Sequence, residues 1–129
     1  MYKTIKTLIT ILCLAFATGM MAQEAKVGNT FDGKATYYSN KLHGRHTSDG
    51  GVYDKNGLTC AHRTLPFGTM LKVTSKKNGK SVIVKVTDRG PWSKRFVIDL
   101  SWAAAQQLEM IRSGVIDVEI EVVEAPKKN

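Results

Sequence analysis

A chain of 129 residues, 43% hydrophobic and 23% charged, holds enough apolar material for one small domain with a single core. Nineteen basic against eleven acidic residues give a formal charge of +8, the sign that suits an anionic polymer such as glycan, lipid headgroups or nucleic acid. Nucleic acid fits worst, since neither a recognition-helix pattern nor an aromatic-basic platform occurs.

Residues 1–22 read as a secretory signal peptide. Lys3 and Lys6 supply a basic start, Thr7 to Thr18 is mostly apolar, and Gly19-Met20-Met21-Ala22 precedes an expected cut before Gln23. The apolar run is too short for a membrane span, and polar chain follows at once. Leu12 stands before Cys13 where lipid attachment wants a small residue, so the expectation is a soluble protein exported to the periplasm or cell envelope. Cleavage removes two lysines and no acids, leaving an excess of six basic residues. It also removes Cys13, so Cys60 has no intramolecular disulfide partner. A monomer is expected.

Residues 23–32 form a polar lead-in to a domain over 33–123, and 124–129 a polar tail. Gly33 to Tyr38 is a β-prone run of small and aromatic residues. Residues 40–57 make a long loop rich in Gly, His, Asp and Asn, a length that in a compact domain usually signals function. Leu58 to His62 is a short strand or loop edge, and Leu65-Pro66-Phe67-Gly68 is turn chemistry. Met70–Thr74 and Ser81–Thr87 flank Asn78-Gly79, a strong hairpin signal. Val82, Val84 and Val86 alternate with Ile83, Lys85 and Thr87, which predicts a strand with one face buried. That parity carries Asp88 onto the valine face just before Gly90-Pro91 ends the pairing. Arg95–Ile98 is a further short strand. Asp99 or Ser101 caps a helix starting at Trp102 and stopping near Ser113-Gly114. Val115 to Val123 alternates again. The fold class expected is mainly β, a small six-stranded barrel with one short helix.

Asp88, at the end of a rigid strand beside a turn, is well placed for chemistry. Glycoside hydrolysis by paired carboxylates would need a partner for it. Asp99 is assigned to helix capping and Asp54 to a turn with Asn56-Gly57, which leaves Asp49. His43, His46 and His62 lack the cysteine pairs or helical spacing of a metal set, so no metal or cofactor is expected. Cys60 and His62 share a strand face but sit roughly 6.5–7 Å apart at the backbone, too far for an easy proton hand-off. Cys60 is therefore a packed small residue. Tyr37, Tyr38, Tyr53 and Trp92 are candidates for an aromatic floor under sugar rings, while Trp102 belongs to the core.

Gly33-Lys34-Ala35-Thr36-Tyr37-Tyr38, His43-Gly44-Arg45-His46-Thr47, Leu58 through Thr69, Thr87-Asp88-Arg89-Gly90-Pro91 and Ile98-Asp99-Leu100-Ser101 together resemble the rare lipoprotein A (RlpA-like) family. The resemblance runs from about Gly33 to Val123. It implies a double-psi β-barrel, as in expansins, and periplasmic lytic transglycosylase action on peptidoglycan glycan strands that lack stem peptides. It assigns catalysis to Asp88 and His62 and makes Arg89-Gly90-Pro91 the turn that holds Asp88; Tyr38, Thr47, Asp49, Tyr53, Arg89 and Trp92 are the expected substrate contacts. Gly51 stands where the family usually has glutamate, with Asp49 two residues away; Tyr37 replaces tryptophan and Cys60 alanine. Such a reaction needs no enzyme nucleophile, because the C6 hydroxyl of N-acetylmuramic acid attacks its own anomeric carbon and closes a 1,6-anhydro ring. Asp88 is then expected as the acid/base, partly desolvated and so protonated more readily than a free aspartate. Arg89 is expected to face glycan or a carbonyl, and His62 to orient Asp88 or bind sugar. The competing expectation is a non-catalytic, expansin-like module that binds cell-wall polysaccharide.

Overall fold

The computed structural model describes residues 23–127; the expected signal peptide and Cys13 lie outside them. The local pattern accounts for most of the strands. Along β4 (Ser81–Asp88), Val82, Val84 and Val86 are buried while Ser81, Ile83 and Lys85 are exposed, the alternation of a strand facing a core on one side. Each of those valines contributes roughly 1.5–3 kcal/mol by leaving water. β6 (Ile116–Glu124) does the same with Ile116, Val118, Ile120 and Val122. β3 (Met70–Ser75) buries Leu71 and Val73, and joins β4 antiparallel through the hairpin at Asn78-Gly79, where Gly79 takes φ +74°.

Three more strands close the sheet. These are β1 (Thr30–Tyr37), β2 (Thr59–Ala61) and β5 (Ile98–Leu100). The order around the closed barrel is β1-β5-β2-β4-β3-β6. Pairs β1–β5 and β2–β4 are parallel and the other four antiparallel, giving a six-stranded mixed barrel with no open edge. Apolar side chains fill the interior, among them Leu71, Val84, Val86, Ile98, Leu100, Val118 and Ile120.

The barrel extends slightly past the expected 33–123. Thr30, Phe31 and Asp32 pair with Glu121, Ile120 and Glu119, so part of the lead-in is strand, and β6 runs on to Glu124. The expected strand at Arg95–Ile98 lies instead at Ile98–Leu100, because Ala35, Thr36 and Tyr37 set its register. Asp99 is thereby a strand residue. The cap of α1 (Trp102–Gln107) is Ser101 alone, whose Oγ accepts from the Ala104 N–H at 3.2 Å. The helix is also shorter than expected, ending at Gln107 in turns that lead to β6. Ala104 and Ala105 face the core from it, while Trp102 packs edge-on against Tyr37, with ring centroids 5.9 Å apart.

Candidate active site

Where β4 and β5 flank the short β2, one residue organises two acids. Ala61 is in register with Asp88 on β4 and with Asp99 on β5; the β2–β4 register shifts between Cys60, which faces Val86, and Ala61, so Asp88 turns away from the valine face that its parity predicts. Side chains in register on neighbouring strands share a face, and both carboxyls line a cavity of about 440 Å³. Its wall also includes Tyr37, Tyr38, Arg45, Ser48, Tyr53 and Trp92. Its lining joins the half-buried Asp88 and Asp99 to the exposed Arg45 and His46, and Trp92 is 78% exposed.

Asp88 is held by four hydrogen bonds. Its Oδ1 accepts from the Ser48 N–H at 2.9 Å, the Ser48 hydroxyl at 2.7 Å and the Arg89 N–H at 2.9 Å. The Tyr38 hydroxyl donates to Oδ2. Burial pushes the carboxyl's pKa up, but these bonds to Tyr38, Ser48 and Arg89 outweigh it and hold the pKa below the ordinary aspartate value. The expected raised pKa of Asp88 is therefore corrected: partial burial is present, and hydrogen bonding overrides it.

Asp99 has the opposite balance. Burial raises its pKa, the Thr36 hydroxyl donated to Oδ1 lowers it, the Asp88 charge raises it further, and the net shift is upward. Gly90, at φ +130°, lies over this carboxyl; a Cβ there would be 3.7 Å from Asp99 Oδ2. Two acids in one cavity with pKa values displaced in opposite directions are matched to giving and taking a proton. Assigning Asp99 to the helix cap concealed this. The available signal was its place between the apolar Ile98 and Leu100, which turns a strand residue to the other face, with Ser101 adjacent as the better cap.

The other expected residues divide. Tyr38 and Tyr53 pack at 4.5 Å, and the Tyr53 hydroxyl accepts from the Trp102 backbone N–H at 3.0 Å; Tyr53 is buried, so in place of the expected sugar contact it braces Tyr38. Burial foremost, with the Asp88 contact, raises the Tyr38 pKa, so its phenol stays a donor. Thr47 lines the cavity but gives its hydroxyl to Asp49 Oδ1 at 2.6 Å. Asp49 does not line it; the same oxygen accepts the Gly51 N–H at 3.0 Å, so its carboxylate serves its own turn. Arg89 borders the cavity with its guanidinium turned to carbonyls, at 3.1 Å from His62 O and 2.6 Å from Leu65 O, and lies 3.9 Å from the Phe67 ring centroid.

His62 does not line the cavity. Its Nδ1 accepts from the N–H groups of Thr64 and Leu65 at 3.2 and 3.0 Å, and its ring packs edge-on against Phe31. It reaches Asp88 through backbone, its N–H donating to Asp88 O at 3.1 Å. Burial, then Arg63 and Arg89, lower its pKa to about 4, so the imidazole is neutral. The reason it stands apart is local: two N–H groups of the following turn capture the ring. His43 turns Nδ1 to the Lys55 N–H at 3.1 Å, and among the described residues no cluster of three or more His, Cys, Asp or Glu is arranged to hold a metal ion. Cys60 is buried, and burial raises its thiol pKa.

The family described as lytic transglycolase matches residues 30–120. An endolytic peptidoglycan transglycosylase RlpA of Campylobacter jejuni is 50% identical over 97 residues, covering 75% of this chain and 35% of that protein. Its namesake in Vibrio cholerae is 46% identical over 100 residues, covering 78% and 38%. The chain thus spans little more than a third of the length of these relatives. Among solved structures, the Streptomyces papain inhibitor aligns with a TM-score of 0.63 at 28% identity, over 76% of this chain and 97% of its own. A mutant Clavibacter michiganensis expansin in complex with cellohexaose aligns at 0.59 and 25%, over 78% and 54%. The chain belongs to the lytic transglycolase family, has the double-psi β-barrel fold and is related to the RlpA endolytic peptidoglycan transglycosylases.

Proposed function

We propose that this domain is an exported lytic transglycosylase that cuts peptidoglycan glycan strands between N-acetylmuramic acid and N-acetylglucosamine. The observation that carries the reading is the carboxyl pair on either side of Ala61, one with its pKa lowered and one with its pKa raised. Asp99, protonated, gives its proton to the bridging oxygen as the bond to the muramic anomeric carbon breaks. Asp88, ionised, takes the proton of the C6 hydroxyl as that oxygen bonds to the same carbon. The products are a free N-acetylglucosamine 4-hydroxyl and a 1,6-anhydro end, with no water consumed. After turnover Asp99 is the anion and Asp88 the acid, and exchange with solvent resets them. Asp88 alone was the acid/base expected from the resemblance; its lowered pKa suits the base, and Asp99 supplies the acid. Trp92 and Tyr38 offer ring faces to the sugars, with the buried Tyr53 packed against Tyr38. Strands without stem peptides are the proposed substrate, following the family resemblance.

The test is product analysis on purified denuded glycan strands. Wild type should release 1,6-anhydro ends, and Asp88→Asn and Asp99→Asn should each lose about 10²–10⁴-fold in rate while still sedimenting with the polymer. Wild-type-like release by either variant removes that residue from the chemistry. The second reading, an expansin-like wall-binding module, is favoured by the self-satisfied Asp49 and by glycine at position 51. It predicts sedimentation with no new ends from any of the three proteins.

A further inference from the structure

The turn over residues 47–51 lies across the end of β4. The Asp49 N–H donates to Thr87 O at 3.1 Å, and the Thr47 N–H to Gly51 O at 3.0 Å. The Asp49 carboxylate ties the turn from within through Thr47 and Gly51. Ser48 sits at the crown of this braced turn and directs both its donors at one atom, Asp88 Oδ1. A side chain at Gly51 would have to start 3.1 Å from Asp49 Oδ1 and 3.5 Å from Thr47 Oγ1, ground that the Asp49 carboxylate already occupies. In this chain the turn therefore brings hydrogen-bond donors to Asp88 and no second acid.

We propose that Ser48 is a positioning residue for Asp88: its hydroxyl fixes the orientation of the carboxylate and keeps it anionic. The inference rests on the reading of Asp88 as the base. Oδ1 accepts three donors, so a proton on Asp88 would have to sit on Oδ2, which already receives the Tyr38 hydroxyl. Protonation then needs that phenol to turn round and accept. Two of the three donors on Oδ1 are backbone N–H groups, and only the Ser48 hydroxyl is removable by substitution. The ionisable groups around Asp88 are Tyr38 from the end of β1 and Asp99 from β5, with Arg45 and His46 lining the same cavity from the loop that carries Ser48. Arg89, next in sequence, gives its N–H to Asp88 and its guanidinium to carbonyls. Ser48 is exposed on its loop, so substitution there leaves the core untouched.

The experiment follows the Asp88 side-chain carboxyl carbon by NMR through a pH titration in wild type, Ser48→Ala and Ser48→Thr. The release of anhydro ends from denuded strands is recorded over the same pH range. Ser48→Ala should move the Asp88 titration and the acid limb of the rate profile together to higher pH. It should lower kcat about tenfold on that limb, with KM held. Ser48→Thr, which keeps the hydroxyl, should return both to the wild-type position. An Asp88 titration unmoved in Ser48→Ala, or displaced equally in Ser48→Thr, overturns the proposal. Absence of anhydro ends from wild type at every pH would sink the transglycosylase reading instead, and the carboxyl titration would still decide the role of Ser48.

Discussion

Asp88 and Asp99 stand in register with the same residue, Ala61, from its two sides. Two strand spacings separate their backbones, about 9–10 Å, and both side chains turn into one cavity. Their surroundings differ more than their positions do. Asp88 meets four hydrogen-bond donations from Tyr38, Ser48 and Arg89, whereas Asp99 meets burial, one hydroxyl from Thr36 and the charge of its neighbour. On the proposed mechanism, that asymmetry divides the two proton duties between acids that are identical in chemistry.

The pH–rate profile should follow from it. Asp88 works only above its lowered pKa and Asp99 only below its raised one, so activity should rise through the first and fall through the second. Thr36 donates to Asp99 and pulls its pKa down against burial. Thr36→Val should therefore move the alkaline limb of kcat/KM to higher pH and leave the acid limb in place. An alkaline limb that stays put would mean another group titrates there.

Asp99 should also cost stability near neutral pH. Its folded pKa is raised, so the folded state holds the proton more tightly than the unfolded chain does. The corresponding stability is fully present below the unfolded pKa and is lost as pH rises through the folded one. Asp99→Asn should then raise Tm by about 2–4 °C at pH 7 and give no gain at pH 3. A lower Tm at pH 7 in calorimetry would show that the ionised form is well accommodated.

His62 has the reverse linkage. A neutral imidazole accepts two N–H groups, and its folded pKa of about 4 lies below the ordinary 6.5. Stability from it is complete above pH 6.5 and drains away as pH falls towards 4, by up to about 3 kcal/mol. Tm of wild type should drop over that interval, and His62→Asn should show a flatter dependence. Parallel slopes in the two proteins would assign the acid sensitivity elsewhere.

Much of the barrel is written in local pattern. Alternating valines along β4, the Asn78-Gly79 turn and the alternation of β6 each depend on neighbours a few residues away, whereas Asp88 leaves the valine face because the β2–β4 register shifts between Cys60 and Ala61. The ordered motifs from Gly33 to Ser101 carried the family and the barrel. Roles set by pairing across the sheet were not visible that way. Asp99 joined Asp88 because β5 registers on Ala35, Thr36 and Tyr37 and then on Ala61, residues 38 to 63 positions distant in the chain. His62, just past the end of β2, is drawn into its own turn by the N–H groups of Thr64 and Leu65. Ser48 reaches Asp88 across 40 residues of chain. Short-range periodicity determines which face of a strand is buried, and so the sequence by itself determined the barrel strands and put Asp88 at the end of β4. Which polar groups meet in the cavity, and which acid keeps its proton, depends on strand register and on desolvation, and those arise only when the barrel closes.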